Sequence, residues 1–185
     1  AGWDSGGTID RALLAAGVAP AAVPGLVPAL VEAFTTHEPE FLPPYPGVEE
    51  ALRALAEAGP VACLTDGNPT IQAAKLAATP LAPFLSCVVI TDTLGGRAAR
   101  KPRPDGLLAI ADRLGLPAGR LLVIGDRPGK DVAVAAAVGA RAIRIRQGEY
   151  ANAPDEPRAW AVTTSFPGAV GLAVPLLRAG AALHS

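Results

Sequence analysis

Three short segments hold most of the side chains that could do chemistry. The first, "TDG" at residues 65–67, follows an apolar run; the second, "RKPRPD" at 100–105, sets a lysine among prolines; the third, "GDRPGKD" at 125–131, carries two aspartates five positions apart. Thr65 offers a hydroxyl, and the N–H groups of Asp66 and Gly67 follow it, a set able to cradle an anion. Lys101 precedes Pro102, with Pro104 beyond, and these restrict the backbone and the reach of the ammonium. Such a lysine can neutralise a phosphate oxygen and hold a carboxylate in place. Asp126 leaves the end of an apolar run through Gly125, which permits a tight turn. Asp131 falls in the first turn of the next helix, where an acid is favoured by the helix dipole alone. Two hard oxygen donors on one rigid turn suit Mg2+, which takes one or two carboxylates with waters and substrate phosphate.

The other polar residues carry weaker signals. Asp92 either lines the same site or caps a turn. His37, Glu38 and His184 stand in no metal-ligand spacing and are expected to be exposed, whereas Trp3 and Trp160 are expected to pack. The third segment invites a false match to a phosphate-binding P-loop. That motif fails because Gly125 and Gly129 are separated by three residues and Lys130 is followed by Asp131. No G-x-G-x-x-G follows any apolar run.

The elements that must position these residues are legible from periodicity. Residues 5–41 are Ala-rich and helical in pattern, with Leu26, Leu30 and Phe34 on one apolar face. "FLPPYPG" at 41–47 forbids a helix, because three prolines fix the backbone. A helix over 48–58, with a Glu49–Arg53 pair, stops at Gly59-Pro60. From there strand, loop and helix alternate: strands at 61–64, 87–90, 121–124 and about 142–145, and helices at about 69–78, 105–114, 128–138 and 167–178. Asn68 is a cap with Pro69 after it. The fourth strand alternates Ile143 and Ile145 with Arg144 and Arg146, which predicts a position nearer a sheet edge. Short, mostly uncharged strands separated by helices imply α/β architecture, a parallel sheet covered on both faces. In such sheets ligands bind beyond the carboxyl ends of the strands, where Thr65, Asp66, Asp92 and Asp126 fall.

Composition narrows the function classes. The 185 residues are half apolar, and 16 basic against 17 acidic side chains leave a net charge of −1. No basic excess exists to neutralise nucleic-acid phosphates. The longest uncharged run, Leu76 to Thr91, is interrupted by Pro80 and Pro83 and is shorter than the ~20 residues a membrane span needs. Cys63 and Cys87 cannot build a disulfide framework and read as small core hydrophobes. These features lead to the expectation of a soluble, cytoplasmic protein with neither nucleic-acid nor membrane partners.

The three segments, in this order and spacing, resemble the haloacid dehalogenase superfamily of hydrolases, most of them phosphatases. "CLTDGN" is similar to that family's second motif, Lys101 in "KPRP" to the third, and "VIGDRPGKD" to the fourth; "PYPGVEEALRAL" is similar to the return from a helical cap to the core. The resemblance spans about residues 41–148. It implies a three-layer, Rossmann-like core at residues 44–185 and a partial helical cap at 1–43. It also implies a small phosphorylated substrate, and Mg2+ bound by Asp126 with Asp131. Thr65, Asp66, Gly67 and Lys101 would contact the phosphoryl group, and Thr65, Lys101 and Asp126 would be the catalytic positions. Chemistry would be attack by an aspartate carboxylate, giving a phospho-aspartate that water hydrolyses. The family's first motif, D-x-D-x-T at the end of a central strand, is matched only remotely by "WDSGGT", with Asp4 followed by Gly6, and only Ala1, Gly2 and Trp3 precede it. "WDSGGTIDRALL" is therefore read as a cap helix with Asp4 or Ser5 as N-cap. The core would then lack its first strand, which belongs between the first and third strands named above, and the nucleophile would lie upstream of Ala1. The competing expectation is a non-catalytic domain of the same fold. Carbon–halogen cleavage is disfavoured by the Asp126–Asp131 pair, since that chemistry needs no cation.

Overall fold

The computed structural model describes residues 7–37 and 39–182. The readings made at Trp3, Asp4, Ser5, Glu38 and His184 lie outside them. The chain divides into two compact units, at residues 1–39 and 40–185. In the first, helices α1 (Thr8–Ala15) and α2 (Val23–Thr36) pack on each other. Helix α1 starts after Gly7, which sits at the N-cap position in the left-handed region. The apolar stripe of α2 is present but unburied: Leu26, Leu30 and Phe34 are all exposed, as is His37.

The second unit follows the alternation expected of α/β chains: α3 (Val48–Ala58), β1 (Ala62–Thr65), α4 (Pro69–Ala77), β2 (Cys87–Ile90), α5 (Asp92–Gly95), α6 (Asp105–Leu114), β3 (Leu122–Gly125), α7 (Ala133–Ala137), β4 (Arg141–Ile145), β5 (Ala161–Thr163) and α8 (Phe166–Ala182). Local chemistry sets the boundaries. The Asn68 side chain accepts from the Thr70 and Ile71 N–H groups and opens α4. Gly115, left-handed, closes α6. The Glu49–Arg53 pair closes at 3.2 Å on α3. The helix expected at 128–138 begins instead as a π-helical turn at Pro128–Val132, a form that recurs at functional sites.

The strands form two parallel sheets, β1–β2 and β3–β4–β5. Apolar clusters cover both faces. One joins Leu52 and Leu55 of α3 to Ile143 and Ile145 of β4 and Ala169 and Ala173 of α8. The other joins Val89 of β2 to Leu107 and Ile110 of α6 and Val134 of α7.

Strand β4 overturns one expectation. It is the middle strand of its sheet, and Arg144 is fully buried. The arginine is tolerated because both terminal nitrogens of its guanidinium are bonded, to Asp155 and to the Tyr150 and Ala153 carbonyls, although its Nε is left without a partner. The edge falls to β5, the "WAV" segment, whose Trp160 is about half exposed rather than packed, with the Arg141 guanidinium 5.6 Å from its ring centre. Among the described residues, no helix is long and apolar enough to cross a membrane.

Candidate functional site

Lys101 ties the two sheets together at their carboxyl ends. Its ammonium donates to the Leu64 carbonyl of β1 at 3.3 Å and to Asp131 Oδ1 at 2.7 Å. Asp131 lies against the end of β3: a Cβ on Gly125 would fall 2.5 Å from its Cβ and Cγ, so only glycine fits there. The other oxygen of Asp131 accepts from the Arg127 N–H at 2.9 Å. Both partners of this ion pair are largely buried.

A second knot centres on Asp66. Its Oδ1 accepts from the Thr91 hydroxyl at 3.0 Å and from the Lys101 N–H at 3.1 Å, and its Oδ2 pairs with the Lys130 ammonium at 3.0 Å. The Asp66 carboxylate thus joins the loop after β1, the end of β2, the lysine loop and the turn after β3. Thr65 donates its hydroxyl to Gln72 Oε1 on α4 at 2.9 Å. Gly67 sits at a φ of 131°, a conformation that favours glycine, and a Cβ there would fall 2.9 Å from the Gln72 amide nitrogen. Asp92 is held by Arg100 through two hydrogen bonds, of 2.6 and 2.7 Å. The bond from Arg100 depresses its pKa, with help from the Gly67 N–H.

Lys101, Asp126 and Asp131 line one end of a cavity of about 660 Å3 that runs between β1 and β3. Thr65, Asp66 and Gly67 do not line it, but are joined to it through the bonds just described. Burial, and secondly the charge of Asp131, raise the pKa of Asp126. Two carboxylates that disfavour each other's charge are an arrangement that a divalent cation relieves. Among the described residues no group of three or more His, Cys, Asp or Glu gathers to make an all-protein cage. Asp126 and Asp131 are hard oxygen donors of the kind Mg2+ takes, with waters and substrate oxygens completing its shell. Cys63, whose thiol pKa burial raises, is unreactive by that criterion.

Sequence reasoning did not assign Gln72, Thr91 or Lys130. Gln72 has no motif around it. Lys130 had one usable signal: it is one of only three lysines, and it stands beside Asp131.

A model of the haloacid dehalogenase-like hydrolases matches residues 9–139. The chain belongs to this family. It is 34% identical over 119 residues to a glyceraldehyde 3-phosphate phosphatase of Methanopyrus kandleri, covering 64% of this chain and 49% of that one. Over 113 residues it is 31% identical to a phosphoglycolate phosphatase of Escherichia coli, covering 60% and 43%. A haloacid dehalogenase-like hydrolase from Xanthomonas campestris shares the fold, with a TM-score of 0.64 at 22% identity, over 96% of this chain and 68% of that one. The chain spans about half the length, or less, of the two phosphatases it matches. The family and the α/β fold read from the three segments are thereby borne out.

Proposed function

We propose that this chain belongs to an Mg2+-dependent phosphatase of haloacid dehalogenase type, cytoplasmic and acting on a small phosphorylated metabolite. Its nucleophilic aspartate would come from a segment preceding Ala1. The observation that carries this reading is the convergence of Lys101, Asp126 and Asp131 on a single cavity, with Lys101 bonded to the Leu64 carbonyl of β1 and to Asp131 in the turn after β3. Similarity to two phosphatases of small phosphate esters supports the substrate class.

In this reading the Thr65 hydroxyl turns from Gln72 to a phosphoryl oxygen, and the Lys101 ammonium, anchored by Asp131, neutralises charge developing on that group and on the attacking carboxylate. Asp126 and Asp131 would hold the cation, which supplies Lewis-acid polarisation of the phosphoryl oxygens. Attack by the aspartate breaks the ester bond, leaving a phospho-aspartate and the alcohol; water then releases phosphate. The helices of residues 1–43 would serve as part of a cap that excludes water.

The test is phosphate release by the protein expressed with its upstream sequence, offered glyceraldehyde 3-phosphate and 2-phosphoglycolate with Mg2+. Turnover should fall by at least about 100-fold in Lys101→Ala, the scale seen when one donor to a developing charge is removed. Undiminished turnover in that variant would refute the assignment. Binding of phosphate without any turnover would favour a non-catalytic domain.

A further inference from the structure

Arg127 lies between the two aspartates assigned to the cation and is itself held from outside the site. Here the extended chain leaving β3 becomes the π-helical turn of Pro128–Val132, with φ −102° and ψ 106° at Arg127. The Arg127 N–H donates to Asp131 Oδ2 at 2.9 Å. Its carbonyl accepts from the Lys130 and Asp131 N–H groups at 3.1 and 2.7 Å. Asp126 comes immediately before it. Rotation about the Arg127 backbone therefore moves the two carboxylates relative to each other. A Cβ at Gly129, in the same turn, would meet nothing within 4 Å, so packing at that point does not hold the turn.

The Arg127 side chain does. Its guanidinium carbon stands 4.5 Å from the centre of the Tyr150 ring. Tyr150 belongs to the loop after β4, whose place is set by two arginines of that strand. Arg144 pairs with Asp155 and donates to the Tyr150 carbonyl at 2.9 Å and the Ala153 carbonyl at 2.8 Å, and Arg146 pairs with Asp155 as well. Arg144 is fully buried and lies in register with Gly125, the residue before Asp126. The contacts close a circuit. It runs from Gly125 across the sheet to Arg144, on to the Tyr150 backbone, from the Tyr150 ring to Arg127, and from Arg127 to Asp131, which packs back on Gly125. Gln147 and Gly148, at the start of the same loop, line the cavity together with Asp126.

We infer that Tyr150 is a positioning residue: its ring contact with Arg127 fixes the turn that spaces Asp126 and Asp131, and so sets the affinity for a divalent cation rather than the rate of the chemical step. A guanidinium over an aromatic face is attracted by the ring itself, so phenylalanine can replace the tyrosine and an aliphatic side chain cannot. The effect on cation affinity rests on the phosphatase reading; the effect on the turn does not.

The test compares Tyr150→Phe, which keeps the ring, with Tyr150→Leu, which removes it. In the full 185-residue chain, deuterium exchange of the Arg127 amide, the donor to Asp131, is read by NMR. It is expected to be at least fivefold faster in Tyr150→Leu and within twofold of the parent in Tyr150→Phe, with the Leu107 and Ile110 amides of α6 unchanged. In an Arg127→Leu background, Tyr150→Leu should have no further effect on the amide of residue 127. Unaltered exchange at Arg127 in Tyr150→Leu would overturn the proposal. So would a rise shared by Leu107 and Ile110, which would mark Tyr150 as a general support of the fold. In the protein expressed with its upstream sequence, the Mg2+ needed for half-maximal phosphate release should rise at least fivefold in Tyr150→Leu. Its kcat at saturating Mg2+ should stay within twofold of the parent, and Tyr150→Phe should match the parent in both. A lower kcat with an unchanged Mg2+ requirement would overturn the assignment. No turnover in the parent would count against the phosphatase reading, and the exchange result alone would then decide this one.

Discussion

At the scale of single residues, burial works against the charge of Asp126. Asp126 has its pKa raised by burial and then by Asp131, so its ionised form is disfavoured in the folded state. A carboxyl whose folded pKa is raised weakens folding as pH climbs from its unfolded value through the folded one. Asp126→Asn is therefore expected to raise the melting temperature relative to the parent, by more as pH climbs and the parent's carboxyl ionises, and on the proposed function to remove stabilisation by added Mg2+. A lower melting temperature in that variant would show that the carboxylate has a structural role. Asp92 behaves oppositely. Its pKa is depressed, chiefly by the hydrogen bond from Arg100, so its contribution is present above the ordinary aspartate value of about 3.9 and is lost as pH falls below it. Denaturant titrations between pH 2 and 5 should show a shallower acid limb in Asp92→Asn than in the parent; identical limbs would count against the pairing. Thr65, Lys101 and Asp126 could be singled out because each stands at a strand end or beside prolines, and Asp131 because it follows Asp126 within one turn of chain. Gln72, Thr91 and Lys130 were not, since their partners lie 7, 25 and 64 positions away and only the fold brings them together.

At the scale of elements, helix and strand positions were legible to within a residue or two where caps mark them, as at Asn68 and Gly115. The place of β4 was not. Alternating arginines suggest solvent, yet the partners that make Arg144 tolerable come from the loop at Tyr150–Asp155, about ten residues on. That loop carries no periodic signal. Tyr150 also lies under the Arg127 guanidinium, 4.5 Å from its ring centre, so the loop is held against the turn that presents Asp126. Asp155→Ala leaves the fully buried Arg144 cation with two carbonyl acceptors and no counter-charge. Leaving a buried cation uncompensated is expected to cost about 3–5 kcal/mol of unfolding free energy by urea denaturation. An unchanged unfolding free energy in that variant would show that the ion pair does not hold the loop.

At the scale of the whole molecule, two half-sheets meet at one end through Lys101 and lie apart elsewhere. The three polar segments read from the sequence converge because each leaves the carboxyl end of a strand or the loop beyond it, a placement that parallel α/β topology dictates. The central claim is that this meeting point holds an anion together with its counter-cation. Crystals grown with inorganic phosphate and Mn2+ in place of Mg2+ would locate both directly, the metal by its anomalous scattering. The account predicts one metal peak within about 2.2 Å of an Asp126 oxygen, with phosphate in hydrogen-bond reach of both Lys101 and Thr65. A metal peak elsewhere, or phosphate bound away from Lys101, would contradict it.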